Sequence, residues 1–565
     1  EHSRTNGFKY QFCSCIIMWI LGVNRSHDGG IALLKDNEVV LSIQEERLTH
    51  VKFDRECLNA LDLVPSFTKE IDICAYTHLY NTKNDFGPYF KYLKKIGIHV
   101  KRYVEAKDYH HSLHAACAYN HSPFTDAVVL IIDGAGADYK WGKENESIIH
   151  MRGSAMDAIY LKQGIVGWPE DKTKNAPYYV DENKSIGAGY VYSAITEVLG
   201  WDGLECGKTM GLSSYGKPND RIKPMLDLNG GRDDRFGLAD FNEHKNVKAK
   251  MIPYEYTSHF KNEEDKFKKQ SDLAYTIQSE FEDYVYNRIM LAYELSGCPN
   301  VIFTGGCALN CVANYKVMKR LPPHINLYVE PVSSDSGVAL GAAYISYEKE
   351  APKRYERKPL RPIDNLYLGQ PLKYESKYEN EKEVSAADVA KLIESGNIVA
   401  IAQGRSENGP RALGNRSILY DPRDPNGKEK VNTVKKREQW RPFAGTVMLE
   451  YAREWFDLDR LEESPFMMYA MDVLQPEKIP CISHVDDTCR IQTLTEKQNP
   501  NYYKLISEFH KLTGVPILFN TSFNLAGDTI VETMEDAIKT MKESLIEYLY
   551  LPEENKLLIF PNETN

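Results

Sequence analysis

The sequence predicts an α/β and α+β protein of two units, the first of them internally duplicated. Three observations carry this. A hairpin-opening segment, "WILGVN" followed by "GIALLKDNEVVLSIQEERL", has a later relative in "DAVVLIIDGAGADYKWG". Apolar runs of strand length twice lead through a polar or glycine turn into a helix-spaced segment: "NVIFTGG" into "CALNCVANYKVMKRL", and "VEPVSSDSG" into "VALGAAYISYE". Between the units, "APKRYERKPLRP" from Ala351 to Pro362 is rich in proline and cations and has no apolar period, which marks a linker.

The elements follow in order. Asp36-Asn37 separates two strand-like runs and reads as a hairpin turn. Ala127 to Ile132 is an apolar strand that delivers Asp133 into Gly134-Ala135-Gly136, a turn suited to presenting main-chain N–H groups to a phosphate. The second unit opens with a helix in "AADVAKLIESG", ended by Gly396, and a strand in "NIVAIAQG"; it closes with "PILFNTSFN" and a helix starting near Thr533. We divide the chain into an N-terminal extension 1–17, a first domain 18–350, a linker 351–364 and a second domain 365–565.

With 42% apolar and 26% charged residues among 565, the composition is that of a globular protein and excludes disorder or a collagen-like chain. Sixty-nine Lys and Arg against 80 Asp and Glu leave a net charge of −11, which argues against nucleic acid as the main partner. Ile16 to Val23 is too short to span a membrane, and the N-terminus lacks the long apolar stretch of a signal peptide. Eleven scattered cysteines, without a zinc-binding arrangement, suggest free thiols and a cytoplasmic location.

His110 and His114 in "YHHSLHAACAY" stand four apart, on one face of a helix, a spacing that suits a metal with open positions. Asp133 and Asp335, each at a strand end beside a glycine turn, are the candidate oxygen ligands; a capping role is the alternative for both. In "TGGCALN", Gly305 and Gly306 allow close approach of a flat or anionic ligand at a helix start, unless the segment is simply a tight turn. His27, beside Asp28 and a glycine pair, has the chemistry of a general base; Lys52 is a further candidate anion contact or a solvated lysine. The second unit concentrates cations among glycine, proline and aromatics: Arg405, Arg411, Arg416, Lys435, Lys436, Arg437, Arg441 and Arg490. In an acidic chain this points to a polyanionic ligand, with Asn520, Ser522 and Asn524 of "NTSFN" supplying amide and hydroxyl groups.

Taken together, "SHDGGIALL", "IQEERLTHVKFD", "HHSLHAA", "IIDGAGAD", "ECGKTMGLSSYG", "TGGCALN", "DSGVALGAA", "NGPRALGNRSIL", "KKREQWRPFA", "HVDDTCRIQT" and "ILFNTSFN" resemble the carbamoyltransferases that include the nodulation protein and the antibiotic O-carbamoyltransferases. The resemblance runs from Trp19 to Phe560. It implies an N-terminal duplicated ASKHA-type domain, like that of threonylcarbamoyl-transfer enzymes, followed by a C-terminal threonylcarbamoyl-adenylate-synthase-like domain. The implied chemistry turns carbamoyl phosphate and ATP, with Mg2+, into carbamoyl-adenylate in the second domain. The first domain then moves the carbamoyl group to a hydroxyl-bearing small-molecule acceptor.

By the same resemblance His110, His114, Asp335 and Asp133 hold a divalent metal, Fe2+ being favoured and Zn, Mn or Ni accepted by the same donors. His27 and Lys52 are the catalytic candidates. Gly134, Gly136, Lys208, Gly305, Gly306 and Asn310 line a nucleotide, and Arg405, Arg411, Arg416, Lys435, Arg437, Arg490, Asn520, Ser522 and Asn524 bind carbamoyl phosphate and ATP. The chain departs from the family pattern at Gly29-Gly30, Asp138, Gly445 and Met534, none of them an implied ligand. Two other readings are a non-catalytic nucleotide-binding protein on this scaffold and a tRNA threonylcarbamoyl-type enzyme, the latter disfavoured by the acidic charge.

Overall fold

Three sheets organise the chain. The computed structural model describes residues 17–78, 86–106, 110–139, 142–164, 187–222, 224–226, 256, 259–350, 363–374 and 378–561. The linker up to residue 362 and the extension up to residue 16 lie outside them.

The first sheet is built from β1 (Trp19–Arg25), β2 (Gly30–Lys35), β3 (Glu38–Gln44), β4 (Glu70–His78) and β5 (His99–Glu105), in the order β3-β2-β1-β4-β5. The hairpin turn at Asp36 takes a left-handed φ of 54°, as its Asp-Asn sequence predicts. The second sheet uses β6 (Asp126–Ile132), β7 (Asp138–Tyr139), β8 (Gly142–Arg152), β9 (Ala155–Gly164), β10 (Asn300–Thr304) and β11 (Asn326–Val329). The sheet runs β11-β10-β6-β8-β7, with β9 also pairing β8; leaving out the two-residue β7, the path β9-β8-β6-β10-β11 repeats the first sheet strand for strand. The leading strand pairs antiparallel with the next, which pairs antiparallel with the third, and the two later strands add in parallel on the other side. The predicted duplication is therefore present in the topology itself.

Strands β1 and β6 are buried on both faces, which explains their near-continuous apolar runs. The helix after each half crosses over: His110–His121 lies on β6 and β10 of the second sheet, and Val338–Glu350 lies on β1, β2 and β4 of the first. These helices meet at Gly341, where a Cβ would stand 2.0 Å from the Leu113 carbonyl oxygen, so only glycine permits the approach. That contact brings Asp335, just before one helix, to the ligand-bearing start of the other. A long helix, Glu263–Ser296, backs the second sheet; Asn262 caps its start and Gly297, with φ 66°, ends it.

The second unit is a mixed sheet of β12 (Glu381–Glu383), β13 (Val399–Ala402), β14 (Arg416–Tyr420), β15 (Ala444–Met448), β16 (Ala470–Asp472), β17 (Thr488–Leu494), β18 (Ile517–Ser522), β19 (Tyr548–Leu551) and β20 (Lys556–Ile559). Their order is β12-β20-β19-β13-β14-β18-β15-β17-β16. The helix Ala386–Glu394 and the helix Met534–Glu543 each begin in a capping box, at Ser385 and Thr533. A continuous apolar core runs from the second sheet into this unit. Among the described residues no helix is long and apolar enough to cross a membrane, and their nine cysteines are all free.

Candidate functional site

The duplicated halves meet at a buried cluster of ionisable groups. His110 and His114 project from one helix face with their Nε2 atoms 3.1 Å apart. Asp133, at the end of β6, brings Oδ2 to 3.1 Å of His110 Nε2 and 3.6 Å of His114 Nε2; Asp335 Oδ1 lies 3.5 Å from each. One ligand atom from each of the four residues falls within 4.8 Å of the others, and all four side chains are buried. Among the described residues His114 Nδ1 and Asp335 Oδ1 have no well-aligned hydrogen bond, and Asp335 Oδ2 has only the His27 ring, at 3.2 Å, close by. Two imidazoles and two carboxylates converging with uncommitted oxygens make a donor set that fits a divalent cation.

The electrostatics agree. Burial alone would raise the pKa values of both carboxyl groups, but the imidazoles hold Asp133 and Asp335 below the usual carboxylate range. Reciprocally, burial opposes a charge on His114, yet Asp133 and Asp335 push its pKa up to about 9. The protons held there stand where a metal cation would compensate the same negative charge.

His27 flanks the cluster, with Nδ1 3.2 Å from Asp335 Oδ2 and Nε2 3.8 Å from Asp28 Oδ2. Against the effect of burial, Asp335 and then Asp28 push its pKa up to about 10. Burial pushes Asp28 up to about 6. Asn24, which sequence reasoning missed, donates to Ser26 Oγ, the Asp28 carbonyl and the Asp335 carbonyl, tying the His27 turn to the Asp335 turn. A polar residue at the end of a buried strand was the only signal for it.

Asp133 also organises the glycine turns. Its Oδ1 accepts from Gly134 N at 2.8 Å and from Gly306 N at 3.4 Å. Gly305 has φ 89°, and a Cβ there would sit 2.3 Å from the Ile132 carbonyl oxygen, so this turn requires glycine. Gly136 packs against His111 and Glu144. The helix predicted after "TGG" is preceded by a 3-10 turn, Gly306–Leu309, and begins at Cys311. Asn310 caps it and exchanges hydrogen bonds with Gln278, so its amide is engaged within the protein. Lys208 pairs with Glu205 and with Glu438 of the second unit.

The cations of the second unit divide into two groups. Arg405 gives its donors to the carbonyls of Gly369, Val40 and Leu368; fully buried Arg416 gives its own to Gln403, Gly404, Asn415 and Glu532. These two brace the 404–416 loop. Glu407 closes that loop by accepting from the N–H groups of Leu413, Asn415 and Arg416, and Arg47 of the first unit pins it through the Gly409 carbonyl. Asn520 donates to the Ala412 carbonyl and to Thr446, holding the loop to the sheet, while its Oδ1 is buried and unpartnered.

Arg411, Lys435, Arg437, Arg441 and Arg490 form the other group. Arg411 Nη2 reaches the Leu309 carbonyl at 3.2 Å, and among the described residues its Nε and that of Arg490 have no partner. Lys435 is held by Ser522 and Asn524, and Arg437 stacks 4.0 Å over Phe443. Burial, and then like charge, depresses three of these groups: Arg441 and Arg490 act on Arg437, Arg437, Arg441 and Lys52 act on Lys435, and Arg490 helps bring Arg411 down to about 9. Exposed Lys52 thus belongs to the same positive field, across the unit boundary. Glu438, 3.6 Å from Arg441, is an acidic neighbour. Arg441, noted in the sequence but not among the implied binding residues, joins the group in space.

Comparisons with known proteins bear on this arrangement. A family model described as Carbamoyltransferase N-terminus matches residues 19–86 and 85–344, and one described as Carbamoyltransferase C-terminus matches residues 390–556. Nodulation protein NolNO of Sinorhizobium fredii is 30% identical over 91% of this chain and 76% of its own length. A 3'-hydroxymethylcephem-O-carbamoyltransferase of Streptomyces clavuligerus is 34% identical over 42% of this chain and 44% of its own. Among solved structures, full-length HypF in a phosphate- and nucleotide-bound form has a TM-score of 0.35 at 12% identity, covering 59% of this chain and 55% of that one. The chain belongs to the carbamoyltransferase family, a family of enzymes.

Proposed function

We propose that this chain is an ATP-dependent O-carbamoyltransferase working in two half-reactions, on an ASKHA-type first domain (18–350) and a threonylcarbamoyl-adenylate-synthase-like second domain (365–565). In the second domain water releases phosphate from carbamoyl phosphate, and the carbamate so formed attacks the α-phosphorus of Mg2+-ATP, breaking the bond to pyrophosphate and giving carbamoyl-adenylate. In the first, an acceptor hydroxyl attacks the carbamoyl carbon. The new C–O bond forms, the bond to the AMP phosphate oxygen breaks, and the hydroxyl proton passes to His27.

The observation that carries this reading is a shared turn. Gly306–Leu309 hydrogen-bonds Asp133 of the His/Asp cluster at one end and Arg411 of the cation cluster at the other. An adenylate formed among the cations would therefore lie close to the acceptor side. The cation cluster is suited to two polyanionic substrates, because bound phosphates would offset the burial and relieve the mutual repulsion that together depress Lys435 and Arg437. Lys435 is positioned by Ser522 and Asn524, and Arg411 by the loop that Asn520 tethers.

His110, His114 and Asp335, with Asp133, would hold the divalent metal, which when bound supplies Lewis acidity toward a carbonyl oxygen. The chain's own groups do the rest. His27 takes the acceptor's proton; once the Asp335 charge is shared with a cation, its pull on the His27 proton weakens and the ring returns toward neutrality. The glycines of the 134–136 and 305–306 turns would let the adenylate approach the main chain closely, while Asp133 holds the Gly134 and Gly306 N–H groups and the Glu144 carbonyl holds that of Gly136.

The test needs no acceptor. With ATP, Mg2+ and carbamoyl phosphate, pyrophosphate release that requires carbamoyl phosphate and is lost in Arg411→Ala is expected. Folded protein that binds ATP but releases no pyrophosphate under any carbamoyl phosphate concentration would sink the adenylating half.

A further inference from the structure

The helix that carries His110 and His114 continues, one turn further in, to Cys117 and His121. Both are buried, at 1% and 2% exposure, and opposite them stands Glu330, at 0%, directly after β11. Cys117 Sγ is 3.8 Å from His121 Nδ1, and His121 Nδ1 is 2.9 Å from Glu330 Oε1. We propose that Cys117, His121 and Glu330 form a second metal site, for a thiophilic divalent cation of the Zn2+ class.

Three features argue for it. The donor spacings come within about 0.4 Å of a metal polyhedron: with metal–sulfur near 2.3 Å and metal–nitrogen and metal–oxygen near 2.0 Å, tetrahedral edges are about 3.5 Å and about 3.3 Å, against 3.8 Å and 2.9 Å here. Next, the outer nitrogen is anchored. His121 Nε2 lies 3.0 Å from the Tyr344 hydroxyl, the outer-shell contact that orients a ligating imidazole. Finally, a hydrogen-bonded histidine–glutamate pair leaves polar atoms over. Glu330 Oε1 is satisfied by His121 and by the Val332 N–H, but among the described residues Oε2 is buried with no partner, as is the nearby Tyr328 hydroxyl. An unpaired buried carboxylate oxygen is costly, and a cation would engage it. Glu330 Oε2 and the Tyr328 hydroxyl are the groups at hand to complete the coordination.

The site would also matter to the catalytic cluster. Gly337, in the turn that carries Asp335, packs against Cys117 Sγ, where its Cβ would stand at 3.2 Å. A metal bridging the helix and the Glu330 strand end would fix the separation of His110 and His114 from Asp335. Its loss should weaken metal binding at the first centre roughly 10–100-fold, the usual effect of losing an outer-shell support.

The experiment uses the full chain purified from zinc-supplemented culture, read by elemental analysis and X-ray absorption. The first centre has no sulfur donor, so a metal–sulfur shell is diagnostic. Two metal equivalents and a sulfur shell near ~2.3 Å are expected. Cys117→Ser should lose the shell and one equivalent; His114→Ala should lose one equivalent and keep the shell. Glu330→Gln, which preserves volume, should also lose one equivalent and guards against a Cys117 variant that fails to fold. A wild-type spectrum without sulfur scattering overturns the proposal. So does a shell that survives Cys117→Ser and vanishes in Cys298→Ser, which would assign the metal to the more exposed Asp126–His150–Cys298 group.

Discussion

At the His110–His114 centre two imidazoles face two carboxylates, and each charge has an opposite within 3.6 Å. Around Lys435 and Arg437 the neighbours are further cations, with Glu438 near the rim. Burial penalises charge in both places, but the outcomes differ in sign. At the first centre the carboxylates are held ionised and the pKa of His114 rises; at the second every shifted cation moves down. A centre that balances its own charge is built to exchange protons for a cation. A centre that does not is waiting for an anion.

The largest break of this contrast should come from His114→Ala. Carbamoyl transfer to an acceptor should fall by roughly 10³-fold or more, as expected for losing several kcal/mol of polarisation, while acceptor-free pyrophosphate release persists. Bound metal and both half-reactions would be measured on one preparation; parallel loss of both would erase the distinction between the centres. Arg437→Ala should do the reverse: pyrophosphate release drops about 10²- to 10³-fold, the scale of removing one preorganised donor, with metal content unchanged.

The sign of the charge imbalance can be read by pH. Arg411 is brought down to about 9 by burial and by Arg490. A bound phosphate raises that value again, so above about pH 9 binding takes up a proton and affinity falls as pH rises, approaching tenfold per unit. Calorimetric titration with ATP across that range should show the fall, and Arg411→Gln should flatten it. The smallest effect is expected from Glu438→Gln. It removes a carboxylate beside Arg441 and Lys208, and anion affinity should rise by a few-fold at low salt and converge with wild type at high salt.

The sequence revealed those features whose cause is local. The i, i+4 spacing put His110 and His114 on one face, and the apolar run that stops at Asp133 placed that strand end; Asp335, read as ending a strand, instead opens the turn Asp335–Gly337, because the strand before it already stops at Val329. The glycine turn at Gly305 and the caps at Ser385 and Thr533 follow from residue type and spacing. What stayed hidden depends on partners far along the chain. Nothing in the composition of "GRSENGPRALGNRS" separates Arg411, which faces the cation cluster, from Arg405 and Arg416, whose donors are consumed by main-chain carbonyls. Asn310 and Lys208 sit in implied binding segments, yet the one caps a helix and the other pairs with Glu205 and Glu438. The Cys117–His121–Glu330 cluster joins residues about 200 apart, and β11 had to be placed beside the helix before its chemistry was visible.

The loop that presents Arg411 is secured from both sides of the linker: Arg47 grips it from the first unit, and Arg405 returns the contact to the Val40 carbonyl. This limits how such a chain can be inherited. A gene split within residues 351–362 would yield two polypeptides, each exposing main-chain acceptors or a guanidinium that the other once satisfied, and neither half would keep its loop in shape alone. Fusion of the two units is thus more than tethering. The halves share structural donors, so selection on either unit acts on both, and exchanging one unit between relatives would require the seam to be exchanged with it.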